Sequence, residues 1–139
     1  MRVLADTNTI LSALVFPKSV TAEALRYVFS RHRLVLCAYV VDEARDIVKR
    51  KFPSYVDEFE RFLYGIDFEL VFVPEPGSHE IKVSMRDPKD EPILLTAIIE
   101  KVDILLTGDK DFHVLNLANP RIMSPRSFLE EYGDHRPKM

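Results

Sequence analysis

Four places in this 139-residue chain put carboxylates at positions where they can do chemistry rather than only solubilise a surface: Asp6, Glu43, Asp90 and the pair Asp109/Asp111. Each reads as lying at the exit of an apolar, strand-like run or at the start of a helix. In an open parallel α/β sheet that is the edge where ligands and reacting groups collect. Carboxylates gathered at one edge repel one another, which is costly in a partly dry cleft unless a cation neutralises them. Oxygen-only donors favour hard divalent ions such as Mg²⁺ or Mn²⁺. The histidines, at positions 32, 79, 113 and 135, have no zinc-type spacing. Multi-carboxylate Mg²⁺ sites most often serve phosphate chemistry by activating water and holding the scissile phosphate. Against this stands a purely structural account, in which Asp6 and Asp90 cap helices and Glu43 complements a helix dipole.

The elements that must position these acids follow from the apolar pattern. Val3-Leu4-Ala5 is a compact run ending at Asp6, with Thr7 and Asn8 suited to cap the helix that carries Ile10, Leu11, Leu14 and Val15. Phe16-Pro17 ends that helix, and Ser19 or Thr21 opens a second one reaching Arg31. Leu34 to Ala38 is a second strand. From Val40 an amphipathic helix begins with Glu43 in its opening turn, and a further helix starts at Pro53-Ser54 and stops at Gly65. Glu69 to Val73 is a third strand, followed by the loop Pro74-Glu75-Pro76-Gly77 and a largely polar stretch. Asp90 is placed to cap a nearly all-apolar helix from Ile93 to Ile99, with Pro92 in its first turn. Val102 to Thr107 is a fourth strand that runs into Gly108-Asp109-Lys110-Asp111, Arg121 to Met123 is a fifth, and Ser124-Pro125 opens a last helix through Tyr132. The order β-αα-β-αα-β-α-β-β-α predicts an α/β protein with one three-layer domain over 1–132 and a mobile polar tail over 133–139.

Composition narrows the setting. The chain is about one domain in length, 47% hydrophobic and 29% charged, with no run of 18 apolar residues to span a membrane. No leader is visible, and the single cysteine, Cys37, lies in an apolar run and supports no disulfide, so a cytoplasmic location is expected. The net charge of −3 offers no global attraction for nucleic acid.

Asp6-Thr7-Asn8, Glu43 in an amphipathic helix, Asp90 opening an apolar helix, and Thr107-Gly108-Asp109-Lys110-Asp111-Phe112 together resemble the four acidic signatures of PIN-domain ribonucleases, in order and over essentially the whole chain. The resemblance implies a five-stranded parallel sheet of order 3-2-1-4-5 and a Mg²⁺- or Mn²⁺-dependent endoribonuclease leaving a 5′-phosphate. It also implies, in prokaryotes, the toxin half of a toxin–antitoxin pair. On it Asp6, Glu43, Asp90 and Asp109 are metal ligands, Asn8 and Thr107 are supporting polar groups, and Asp111 is either a ligand or a support. Asp87 is a decoy for Asp90, separated from the helix start by Pro88.

An acidic active site needs cations beside it to hold RNA. Arg86 and Lys89, in the loop delivering Asp90, are the first candidates, and Lys110 and Lys18 are others. Alternatively Arg86 and Lys89 only form exposed ion pairs with Asp87, Asp90 or Glu91, which leaves Lys49-Arg50-Lys51 as the next place to look. The apolar helix 93–99 and the aromatic helix around Phe59 and Phe62, with the family likeness, predict a homodimer. Two alternatives compete with the nuclease. A phospho-accepting receiver domain shares the length and acidity, but Pro74-Glu75-Pro76 stands where its acceptor Asp belongs, and no Lys precedes Pro125 near the fifth strand. A non-catalytic PIN-like module binding RNA or protein is opposed by the presence of all four acids.

Overall fold

The computed structural model describes residues 1–134 and contains five strands and seven α-helices. The strands are β1 (Arg2–Ala5), β2 (Arg33–Cys37), β3 (Glu69–Val71), β4 (Ile104–Leu106) and β5 (Arg121–Met123). They form one parallel sheet of order β3-β2-β1-β4-β5, as expected. That order differs from the 2-1-3-4-5 of flavodoxin-like receiver folds and removes the receiver reading. In β1, Val3, Leu4 and Ala5 are all fully buried, as are Val35 to Cys37 in β2 and Leu105 and Leu106 in β4. Successive strand residues face opposite ways, so burial of every one requires helices over both faces, which gives three layers.

Those layers are built by α1 (Thr7–Val15), α2 (Val20–Arg31), α3 (Ala38–Lys51), α4 (Val56–Gly65), α5 (Glu91–Ile99), the single turn α6 (Lys110–His113) and α7 (Pro125–Tyr132). Helix α1 packs against α2 and α3, α2 against α7, and α3 against α4. Ser19 caps α2 by accepting the Ala22 N–H at 3.1 Å, and Ser124 caps α7 through Ser127 N–H at 3.1 Å. Cys37 is a buried core residue against Thr96. At the sheet edge opposite the acids, the Arg2 guanidinium bridges Glu69 at 2.6 Å and Glu100 at 3.2 Å, tying β1, β3 and α5 together.

Several boundaries differ from the sequence reading, among them that of β4, which spans Ile104–Leu106 rather than Val102 to Thr107. Helix α3 begins at Ala38, directly after β2, so Glu43 stands in its second turn rather than its first. Strand β3 ends at Val71, leaving Phe72 67% exposed at the sheet margin, and the stretch with Ile81 and Val83 forms no strand. The loop into α5 contains a 3₁₀ turn, Pro88–Asp90. Of the expected tail, residues 135–139 lie outside the described residues.

Candidate active site

Asp6 leaves β1 as the N-cap of α1. Its Oδ1 accepts the Thr9 N–H at 2.9 Å and its Oδ2 accepts the Thr107 hydroxyl, which reaches across from the end of β4. Thr7 and Asn8 are therefore first-turn residues, and the cap is the acid itself. Asp6 is only 4% exposed. Burial pushes its pKa upward, the Thr107 and Thr9 hydrogen bonds oppose that, and the Asp109 charge adds to it. Capping and site-forming are thus not alternatives at Asp6, because the two carboxylate oxygens divide between them.

Thr107 is the hub of the β4 exit. Fully buried, it donates to Asp6 and accepts the Asp109 N–H at 3.0 Å through the same oxygen, while His113 Nε2 contacts its carbonyl at 2.7 Å. Asp109 in turn accepts the Asp111 N–H at 2.9 Å and so opens α6. Across the cleft the Thr7 hydroxyl donates to Glu43 Oε1 at 2.5 Å. Thr7 is buried, and Asn8, the supporting polar group of the sequence reading, is exposed.

Asp90 does not cap α5 with its side chain, as its position suggests it could. Asp87 caps the preceding 3₁₀ turn by accepting the Lys89 N–H at 3.0 Å, while Asp90 holds the N-cap position of α5 but its side chain makes no capping bond. Its carboxylate is free to approach Asp109 and Asp111. One oxygen from each of the three lies within 4.8 Å of the others, and all three residues are half-buried. Asp90 is accordingly pushed up to about 6, first by burial and then by the charges of Asp109, Asp87, Asp6 and Glu43. All four acidic motifs of the sequence are thus felt at one point. The loop is held there by Tyr39 of α3, whose hydroxyl donates to the Lys89 carbonyl at 2.8 Å. Burial, followed by the Glu43 and Asp90 charges, raises the Tyr39 pKa.

The cations fall differently from expectation. Arg86 Nε donates to Asp111 Oδ2 at 2.9 Å, rather than pairing with Asp87, Asp90 or Glu91, and its side chain is 82% exposed. Lys89 and Lys110 are exposed and take part in no ion pair among the described residues. Tyr39, Thr7 and Thr9 were missed by sequence reasoning. For Thr7 and Thr9 the available signal was a hydroxyl within one helical turn of Asp6; for Tyr39 no local pattern marks its contact with a loop 50 residues away.

An all-oxygen donor set whose crowded charges raise Asp90 and Asp6 fits a hard divalent cation, with Asp90, Asp109 and Asp111 nearest one another and Asp6 and Glu43 each bonded to a threonine. The sequence model of the PIN domain matches residues 2–111, and the chain belongs to the PIN-domain family. Comparison with curated proteins finds no match. Among solved structures the chain is similar to VapBC2 from Rickettsia felis bound to a DNA fragment from their promoter, at 15% identity and TM-score 0.65, covering 89% of this chain and 98% of that one. FitAB bound to an IR36 DNA fragment matches at 18% identity and TM-score 0.60, over 88% and 94%. VapC20 of Mycobacterium tuberculosis, a Sarcin-Ricin loop cleaving toxin, matches at 11% identity and TM-score 0.57, over 86% and 98%. At these identities the likeness is one of fold. No helix among the described residues is long and apolar enough to cross a membrane.

Proposed function

We propose that this chain is a Mg²⁺- or Mn²⁺-dependent endoribonuclease and the toxin half of a toxin–antitoxin pair, working in the cytoplasm as a homodimer. The observation that carries the reading is the convergence of Asp90, Asp109 and Asp111 at the edge where Asp6 also emerges. Support for the toxin role comes from the VapBC2 and FitAB likeness, and for RNA as substrate from the likeness to a Sarcin-Ricin loop cleaving toxin.

On this reading Asp90, Asp109, Asp6 and Glu43 hold the ion, with Asp111 as a further ligand. When bound, the ion supplies an activated water and offsets charge on the scissile phosphate. The chain's own residues do the rest. Thr107 keeps Asp6 oriented and aligns Asp109 through one oxygen, and Thr7 orients Glu43. Asp90, raised to about 6 while no ion is bound, is the carboxylate whose charge a bound cation relieves most. Lys89, Lys110 and Arg86 stand at the rim for backbone phosphates.

The test is incubation of the purified chain with structured and unstructured RNAs in Mn²⁺, Mg²⁺ and EDTA, with end analysis of the products. Metal-dependent cleavage that is abolished in Asp90→Asn and leaves 5′-phosphates is the expected result. Binding of RNA without cleavage by the wild type under every metal condition favours the non-catalytic module instead. An adjacent reading frame encoding a small DNA-binding protein that co-purifies with the chain bears on the toxin role, and light scattering on the dimer.

A further inference from the structure

Beside the carboxylate cluster a groove of about 310 Å³ runs between α1 and α3, lined by Asn8, Ser12 and Phe16 on one side and Ile47, Lys51 and Phe52 on the other. Its walls are two helical ridges at four-residue spacing. Asn8 and Ser12 lead along α1 to its C-cap residue Phe16; Ile47 and Lys51 continue the line of Glu43 along α3. At 1.5 Å per residue, Lys51 lies about 12 Å along the axis from Glu43. Asn8 is two residues from Asp6 and Ile47 is one turn from Glu43, so the groove starts next to two of the acids.

The chemistry changes along it. Asn8 offers an amide with no partner among the described residues, Phe16 presents a ring that is 63% exposed, and the edge of Phe52 is fixed by a T-shaped contact with Tyr55 at 6.4 Å. At the far end Lys51 has no acidic partner among the described residues, whereas neighbouring Arg50 is paired with Asp46 at 3.1 Å. An apolar peptide filling the groove covers Phe16 but also covers Lys51 without neutralising it. A strand that carries a flat apolar face and one negative charge at each repeat satisfies both.

We infer that the α1–α3 groove is a nucleotide subsite, in which single-stranded RNA flanking the scissile phosphate stacks a base on Phe16, meets Asn8 with its polar edge and sets a phosphate on Lys51. The subsite rests on the nuclease reading above. The loop that carries Arg86 and Lys89 is tethered to Tyr39 one turn before Glu43 on α3, and Lys51 stands two turns after Glu43, so the strand passes Glu43 between two cationic ends.

The experiment is a fluorescence-anisotropy titration of a short labelled single-stranded RNA, intact or with one abasic position beside the cleavage point, against the full chain carrying Asp90→Asn. Phe16→Ala in this background weakens intact RNA about tenfold with the salt slope unchanged, and Phe16→Tyr restores binding. The abasic RNA binds the parent about tenfold more weakly and loses nothing further with Phe16→Ala. Lys51→Ala flattens the slope of log affinity against log salt by about 0.7. Thermal melting checks that the exposed substitutions leave the fold intact. Equal RNA binding by the parent, Phe16→Ala and Lys51→Ala overturns the subsite and leaves the groove to a segment of a protein partner. A loss with Phe16→Ala that is as large on abasic as on intact RNA overturns the stacking role. No RNA binding by the parent and no cleavage by the wild type overturns the nuclease reading itself.

Discussion

Tyr39 donates its hydroxyl to the backbone carbonyl of Lys89 at 2.8 Å, so a residue in the first turn of α3 holds the loop that carries Asp90. Four residues later the same helix presents Glu43. One rigid element thereby sets the spacing of two carboxylates from different parts of the chain. Tyr39→Phe removes the tether and keeps the ring. A half-exposed hydrogen bond of this kind contributes no more than about 1 kcal/mol to stability. Misplacement of Asp90 acts on the reaction more strongly, and a fall in kcat of about tenfold is expected with Tm nearly unchanged. Steady-state cleavage beside a melting curve measures both; an unaltered kcat removes the tether from the mechanism.

Asp90 makes stability depend on pH in a stated direction. Its folded-state pKa lies near 6 against an ordinary 3.8, so the folded chain favours the protonated form. That contribution is fully present below pH 3.8 and lost as pH rises through about 6, above which the charged carboxylate is a liability. At full strength the displacement amounts to roughly 3 kcal/mol. Asp90 is only half-buried, and solvent screening brings this to about 1 kcal/mol. Without metal, Asp90→Asn should therefore melt about 3 °C above the wild type near pH 8 and level with it near pH 4.

Divalent ions should reverse that ranking. A cation bound only by the folded chain stabilises it by about 2.7 kcal/mol when free ion reaches about 100 times Kd. Mn²⁺ is expected to raise the wild-type Tm accordingly, and Asp90→Asn to lose most of the response. Asp6→Asn is the poorer probe, because an amide in place of Oδ2 sets a donor against the Thr107 hydroxyl at a cost of about 1–3 kcal/mol whether or not metal binds. A wild-type melting curve unmoved by millimolar Mn²⁺ counts against the metal site.

Arg86 and Lys89 should part company on salt. Lys89 takes part in no ion pair among the described residues, so Lys89→Ala flattens the salt slope of single-stranded RNA binding by about 0.7. Arg86 already neutralises Asp111, and Arg86→Ala should change the slope by less while tightening Mn²⁺ binding, since Asp111 loses its competing cation. RNA titrations at several salt concentrations and Mn²⁺ titrations by melting separate the two effects; identical slopes for both variants refute the distinction.

Much of this architecture was legible in the amino-acid sequence. Short apolar runs at Val3–Ala5, Leu34–Cys37 and Ile104–Leu106 are strands because only a sheet covered on both faces buries every residue of a run. Helix caps such as Ser19 and Ser124 are local devices, decided within a few residues. The acids at Asp6, Asp90 and Asp109 follow from the same punctuation. What only the tertiary structure decided is how those acids are shared between tasks. Thr107 reaches Asp6 from 101 residues away because β1 and β4 are hydrogen-bonded neighbours in register, with Ala5 opposite Leu106. Asp87 rather than Asp90 caps the turn before α5, which leaves Asp90 free to face Asp109. Glu43 stands one turn deeper than the pattern suggests, because α3 starts directly on the last residue of β2. Apolar periodicity states which faces are buried. The partner of a polar side chain is set by strand register and by the order in which strands lie side by side, and neither is written in any local stretch of the chain.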